Sequence, residues 1–267
     1  MKRVAIIRGL SSRVPAVESK LLRYLEKAKI VIVRADADPE VMIVIGGDGA
    51  MLHHVAKTEY PDLPIVGVNA GSLGFLQEAG VADIEDLVRS LRENSYSIQK
   101  MPVISVRKCD EHKKYYAFNE MVMERASSRA AHLAITINGT RFEKFIGDGI
   151  LISTPQGSTA YAAAGGGAVI DPEVAALQLV PLNAHDSREY HAMRAPLVLS
   201  ADSKIVIEPH NDNYRPVRVV TDGRTVAEGT DAFEIRMAPD PVRMLHMPGF
   251  SYTGQLARTL LHQTDHS

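Results

Sequence analysis

The sequence predicts an α+β protein in two parts. An α/β domain with a parallel sheet is expected over residues 1–98, and a β-rich, β-sandwich-like domain over 99–248. A helical tail, 249–267, follows and could pack back on the first part. Three observations carry this prediction. Continuous apolar runs alternate with helix-period segments as far as Leu91. Beyond Tyr96 the texture changes to short alternating strands separated by turn residues. The length of 267 residues, with 45% apolar and 23% charged side chains, suffices for the cores of two domains.

The elements follow in order. Val4–Ile7 is a first strand, and Val17, Leu21, Leu25 and Ala28 then repeat at helical spacing, with Pro15 early in that helix. Ile30–Val33 is a second strand. Val41–Ile45, five apolar residues in a row, reads as a strand buried on both faces. It runs into Gly46-Gly47-Asp48-Gly49, after which Ala50–Ala56 reads as a short helix. Ile65–Val68 is a further buried strand, and Asp83 caps a helix through Leu91. In the second part Ile98–Arg107 alternates and Tyr115–Phe118 returns as a strand. Leu133–Ile137, Asn138-Gly139 and Thr140–Phe145 form a strong hairpin signal. Ile150–Ser153, Leu197–Leu199, Lys204–Glu208, Val217–Thr221, Phe233–Met237 and Val242–Met247 are short strands. One helix is expected from Glu173 to Val180 after Asp171-Pro172, and a terminal helix over Gln255–His262.

Composition narrows the function classes. Thirty basic against thirty-two acidic residues leave a net charge of −2, so bulk charge offers no argument for nucleic acid or a membrane surface as partner. The single cysteine, Cys109, excludes an internal disulfide and fits a reducing compartment. The apolar run after Lys2-Arg3 is too short for a signal sequence, and no stretch approaches membrane-spanning length. A soluble, cytoplasmic protein is the expectation.

Strand, glycine turn and helix at 41–56 form the arrangement that lets backbone N–H groups approach a phosphate. A carboxylate inside it would repel phosphate, so Asp48 needs a separate reason. A helix N-cap is one. The other is phosphoryl transfer to a hydroxyl, with the glycine amides on the donor and the carboxylate taking the alcohol's proton. The turn is neither a Walker loop nor a dinucleotide fingerprint. A second cluster, Thr154–Tyr161 with the Ala/Gly run through Ala168, reads as a linker or as backbone suited to close approach by a flat ring. Pro155, the hydroxyls and Tyr161 favour binding. Asn119-Glu120, Gly147-Asp148-Gly149 and Asp222-Gly223 each read alone as turn chemistry. His53-His54 is no metal pair, because neighbouring helical residues point about 100° apart. With Cys109 alone and the other histidines scattered, no metal site in the protein is predicted.

Taken together, the Gly46–Gly49 turn, the Gly67–Leu76 segment, Asn119-Glu120, Gly147–Gly149 and Thr154–Tyr161 stand in the order and spacing of the NAD kinases, which the chain resembles over roughly residues 1–250. The glycine-aspartate turn alone is shared with diacylglycerol and sphingosine kinases and with phosphofructokinase-like enzymes. The resemblance implies transfer of a phosphoryl group from ATP or inorganic polyphosphate to the 2′-hydroxyl of NAD's adenosine ribose, giving NADP. It implies a divalent cation, Mg²⁺ or Mn²⁺, held mainly by the donor phosphates, and a homodimer or homotetramer. By match to the motifs, Asp48 is the general base, and Gly46, Gly47 and Gly49 shape the donor phosphate loop. Gly74, Phe75, Asn119, Glu120, Asp148, Gln156, Ser158, Thr159, Ala160, Tyr161, Ala164 and Asp222 are the residues implied to bind NAD.

Three positions depart from the family pattern. Ala50 stands where Thr usually follows the glycine-aspartate turn, Gln156 replaces a Thr or Ser, and Ala164 replaces a Ser. Two alternatives stay open on these grounds: a catalytically impaired NAD(P)-binding regulatory protein, and a lipid kinase of the related superfamily.

Overall fold

The computed structural model describes residues 2–57, 62–71, 74–185, 192–210 and 214–261. The chain divides into two compact units, one of residues 1–101 with 241–267 and one of residues 102–240.

The first unit is built on β1 (Arg3–Arg8), α1 (Val14–Lys27), β2 (Val31–Val33), β3 (Val41–Gly46), α2 (Asp48–Lys57), β4 (Ile65–Asn69), α3 (Ile84–Glu93) and β5 (Ser97–Met101). Its sheet has the order β2-β1-β3-β4, then the strand Val242–His246, then β5. All neighbours are parallel except the last pair. Alternate residues of β3 face opposite sides, as the pleat demands. Val41, Ile43 and Ile45 join Leu21 and Leu25 of α1 and Leu87 and Leu91 of α3 in one core cluster. Met42 lies on the other side, against His54 of α2. Both faces of β3 are thus covered by helices, which is why it reads as an unbroken apolar run.

The second unit contains β6 (Ile104–Lys108), β7 (Lys114–Ala117), β8 (Glu120–Arg125), β9 (Ala131–Ile137), β10 (Thr140–Gly147), β11 (Gly149–Ser153), the short α4 (Tyr161–Ala164), β12 (Ala176–Leu182), β13 (Leu197–Ser200), β14 (Ile205–Pro209), β15 (Val217–Thr221), β16 (Arg224–Gly229) and β17 (Phe233–Met237). Two six-stranded antiparallel sheets result, β10-β9-β14-β17-β6-β7 and β13-β12-β11-β8-β15-β16. One core holds side chains of both: Ile135, Ile207 and Ile235 from the first, Met123, Ile152 and Leu179 from the second. This is a β-sandwich. The 131–147 hairpin turns at Asn138 and Gly139 with φ of 50° and 82°, the left-handed pair that an Asn-Gly turn supplies. Chain order closes with β18 (Val242–His246) and α5 (Tyr252–Leu256), both of the first unit, and a π-helical turn, Ala257–Leu261.

Three sequence expectations need correction. The helix expected over Glu173–Val180 is strand β12. Asp171 closes a tight turn by accepting from Glu173 N and Val174 N, and 176–182 is buried throughout. A short apolar run buried on both faces carries no period to separate strand from helix. The domain boundaries 1–98 and 99–248 also shift: β18 pairs with β4 and β5 of the first sheet, so the sandwich ends at Asp240. The terminal helix begins at Tyr252 rather than Gln255 and turns π-helical, while His262 lies outside the described residues. Strand β8 escapes the sequence reading, which stops at the Asn119-Glu120 turn.

Candidate active site

In the first unit, the site begins where β3 and β4 end side by side, Gly46 opposite Asn69. This is the carboxyl edge of a parallel sheet, where ligands bind in such folds. Gly46 is closely packed: a Cβ there would come within 2.6 Å of the Ala50 methyl. Gly47 offers its carbonyl to Ala50 N and Met51 N, opening α2. Gly49 has open space beside it.

Asp48 does not serve as a plain helix cap. Its Oδ2 accepts from Phe75 N and its Oδ1 from Leu76 N, both at 2.9 Å. The loop bearing those donors is pinned along β4. Glu78 N and Ala79 N donate to Gly67 O, and Asn69 N donates to Ala79 O. Gly74 is required by this arrangement, since a Cβ on it would lie 2.3 Å from Asp48 Oδ1. The loop therefore fixes the plane of the Asp48 carboxylate and leaves each oxygen a further lone pair. Phe75, implied as an NAD ligand, thus holds the carboxylate together with Leu76, and Gly74, implied likewise, leaves it room. Ser72 and Leu73 of the same motif lie outside the described residues. Beside Gly49 and Ala50 is a cavity of about 660 Å³, walled by Ile7, Gly9, Leu10, Ala35 and His53. Among the described residues that wall it, Arg8 is ion-paired to Glu18.

In the second unit the motif residues converge on the end of β8. Thr154 Oγ1 donates to Phe118 O at 2.7 Å and accepts from Gly157 N. Gln156 Nε2 bonds both Pro102 O and Phe118 O, at 2.6 and 2.7 Å. Gly157 packs so tightly on Asn119 that a Cβ would fall 2.0 Å from its carbonyl oxygen. Ser158 is fully buried, its Oγ accepting from Ile170 N. Thr159 Oγ1 donates to Gln156 O. Gln156, Ser158 and Thr159 thus brace the turn. Ala160 and Tyr161 follow, with Tyr161 and Ala164 at the surface. The Ala/Gly run is no linker: Gly167 N donates to Ala162 O, and Ala168 N to Gln178 of β12.

Asp222 occupies a left-handed turn with φ of 45°, next to Gly223. Its carboxylate accepts from Phe118 N, Asn119 N and Glu120 N at 2.7, 2.8 and 3.3 Å. Burial pushes its carboxyl above the usual range although those three amides work against that. Burial, then the Asp222 charge, raises Glu120 to about 7, with the Tyr161 amide opposing. Asn119 Oδ1, Glu120 Oε2 and Thr221 Oγ1 are buried and have no hydrogen-bond partner among the described residues. Three such atoms in one patch represent unused capacity for a ligand.

Asp148 is reached by Asn183 Nδ2 and Arg125 Nε, each at 2.7 Å. The Asn183 hydrogen bond first, with Arg125 adding to it, holds its carboxyl below the usual range although burial works against that. These residues, with Tyr161, Ala164 and Arg218, line a cleft of about 480 Å³. Sequence reasoning missed Arg125, Asn183 and Arg218. Arg125 ends the strand that the reading overlooked, and no local pattern marks the other two.

Comparison with known proteins adds family membership. Residues 11–96 match the family described as ATP-NAD kinase N-terminal domain, and 118–247 match the ATP-NAD kinase C-terminal domain. A Finegoldia magna protein named NAD kinase is 33% identical over 194 residues, covering 70% of this chain and 71% of its own. The chain belongs to the NAD kinase family. Another NAD kinase relative, from Bifidobacterium longum subsp. infantis, is 32% identical over 82% of this chain, which spans 65% of that relative's length. The NAD kinase fold is seen as well in yeast NADH kinase complexed with NADH, with a TM-score of 0.82 at 17% identity, covering 100% of this chain and 89% of that one. An Archaeoglobus fulgidus NAD kinase in complex with ATP gives 0.77 at 21% identity, with 96% of each chain covered.

Proposed function

We propose that this NAD kinase family member phosphorylates NAD at the 2′-hydroxyl of its adenosine ribose, with ATP as donor and Asp48 as general base. As the 2′-oxygen bonds to the γ-phosphorus, its proton passes to an Asp48 oxygen. The bond from phosphorus to the bridging oxygen breaks, and ADP leaves with NADP as product. The observation that carries this reading is the Asp48 carboxylate, held by two loop amides with a lone pair spare on each oxygen. Asn119, Glu120, Thr221 and the Asp148 cleft supply contacts for NAD.

No group of three or more His, Cys, Asp or Glu able to hold a metal occurs among the described residues. A Mg²⁺ or Mn²⁺ ion carried chiefly by the donor phosphates belongs to this reading, where it would neutralise their charge. ATP is favoured over polyphosphate because the cavity beside Gly49 is walled mainly by apolar side chains, and its arginine already has an acidic partner. A nucleoside fits the apolar part of such walls, formed by Ile7, Leu10, Ala35 and Ala50. A cytoplasmic homo-oligomer belongs to the same reading.

Asp48→Asn is the decisive variant. It should bind NAD as the parent does and lose ~10²–10⁴-fold in rate of NADP formation. Turnover at the parental rate would return Asp48 to a purely structural role. Ala35→Trp, which fills the cavity, should raise KM for ATP about tenfold or more and leave KM for NAD unchanged. An unchanged KM for ATP would remove the cavity from the donor site.

A further inference from the structure

We infer that Gln255, in α5, is a positioning residue that sets the Asp48 carboxylate through a single peptide group. The inference rests on Asp48 being the base. The carbonyl of Phe75 and the N–H of Leu76 belong to one planar trans peptide and point in opposite directions. Gln255 Nε2 donates to that carbonyl at 2.5 Å, and the N–H donates to Asp48 Oδ1 at 2.9 Å. The peptide is gripped at both ends, so rotation about its flanking bonds would break both contacts. A donor on the carbonyl also polarises the amide and strengthens the N–H as a donor.

The rest of the C-terminal segment supports this placement. Gln255 is buried. Its helix is capped by Ser251, whose Oγ accepts from Gly254 N and whose carbonyl accepts from Gln255 N. Just before that cap, the His246 ring stacks on Phe250 at 3.6 Å between centroids. Its nitrogens meet Glu78 and Gln99 at 2.7 and 2.9 Å. Met247 N donates to the other Glu78 oxygen at 2.7 Å. Residues 246–255 thus hold the Asp48 loop at Phe75 and again at Glu78. The loop's second fastening comes from chain more than 160 residues away, through side chains that no motif includes.

The test is a pair of substitutions combined with Asp48→Asn in the full chain. Gln255→Leu removes the donor at similar volume, and Gln255→Glu keeps the shape while offering the Phe75 carbonyl only an acceptor. Each should lower kcat about tenfold, the worth of one hydrogen bond, with KM for NAD and for ATP within about twofold of the parent. In the Asp48→Asn background, Gln255→Leu should cause no further loss, because the group it positions is gone. If Gln255→Leu does not fold, Gln255→Glu is read the same way. Parental kcat in both Gln255 variants, or the same loss with and without Asp48, overturns the inference. A fully active Asp48→Asn overturns instead the reading on which it rests.

Discussion

Gly74→Ala offers a sharp test of how the Asp48 carboxylate is held. The added Cβ would stand 2.3 Å from Asp48 Oδ1, 2.6 Å from Cγ and 2.8 Å from Oδ2. Ordinary contact begins near 3.4 Å, so the carboxylate must withdraw by about 1 Å. It cannot do so and keep its 2.9 Å bonds to Phe75 N and Leu76 N. A displacement of about 1 Å at a reacting group costs ~10²-fold in rate. The stability cost is smaller, about 1–3 kcal/mol, because the Asp48 side chain can turn toward water. Gly71→Ala, in the same loop, is the control. Among the described residues its Cβ would meet only Asn69 Oδ1, at 4.0 Å, and folding should be unaffected. NADP formation followed by a coupled dehydrogenase gives kcat, and a thermal melt gives stability. Gly74→Ala turning over at more than half the parental rate would refute the claim that this loop orients the base.

The Glu120 carboxyl, raised from 4.5 to about 7, makes a pH prediction of fixed sign. Between those values the folded chain keeps a proton that the unfolded chain releases, so stability falls as pH rises and is fully reduced above about 7, by on the order of 3 kcal/mol. Glu120→Gln should flatten the decline in melting temperature of the ligand-free protein between pH 5 and 8, and an unchanged slope would contradict the assignment. Asp222→Ala leaves three amides without their acceptor and should cost about 3 kcal/mol or more in urea unfolding. Asp222→Asn, which keeps one acceptor oxygen and tolerates the left-handed turn, should cost clearly less. A loss under about 1 kcal/mol for the alanine variant would show that water replaces the carboxylate there.

Patterns within a few residues were legible in the sequence because their causes are local. Burial on two faces makes β3 an unbroken apolar run, alternation marks β9, and Asn138-Gly139 declares its turn through the left-handed angles that this pair adopts cheaply. The strand, glycine turn and helix over 41–57 are legible for the same reason. Tertiary structure decided the rest. Whether 176–182 is helix or strand depended on neighbours β11 and β13, and the membership of β18 depended on β4 and β5. Asp48 bonds to amides 27 and 28 residues along the chain, Asp222 to amides more than 100 away, and Gln255 to a carbonyl 180 away. A one-dimensional pattern marks which residues can bond. Only the folded chain determines which partner each one meets, because a hydrogen bond requires about 3 Å and the right direction rather than a spacing in sequence.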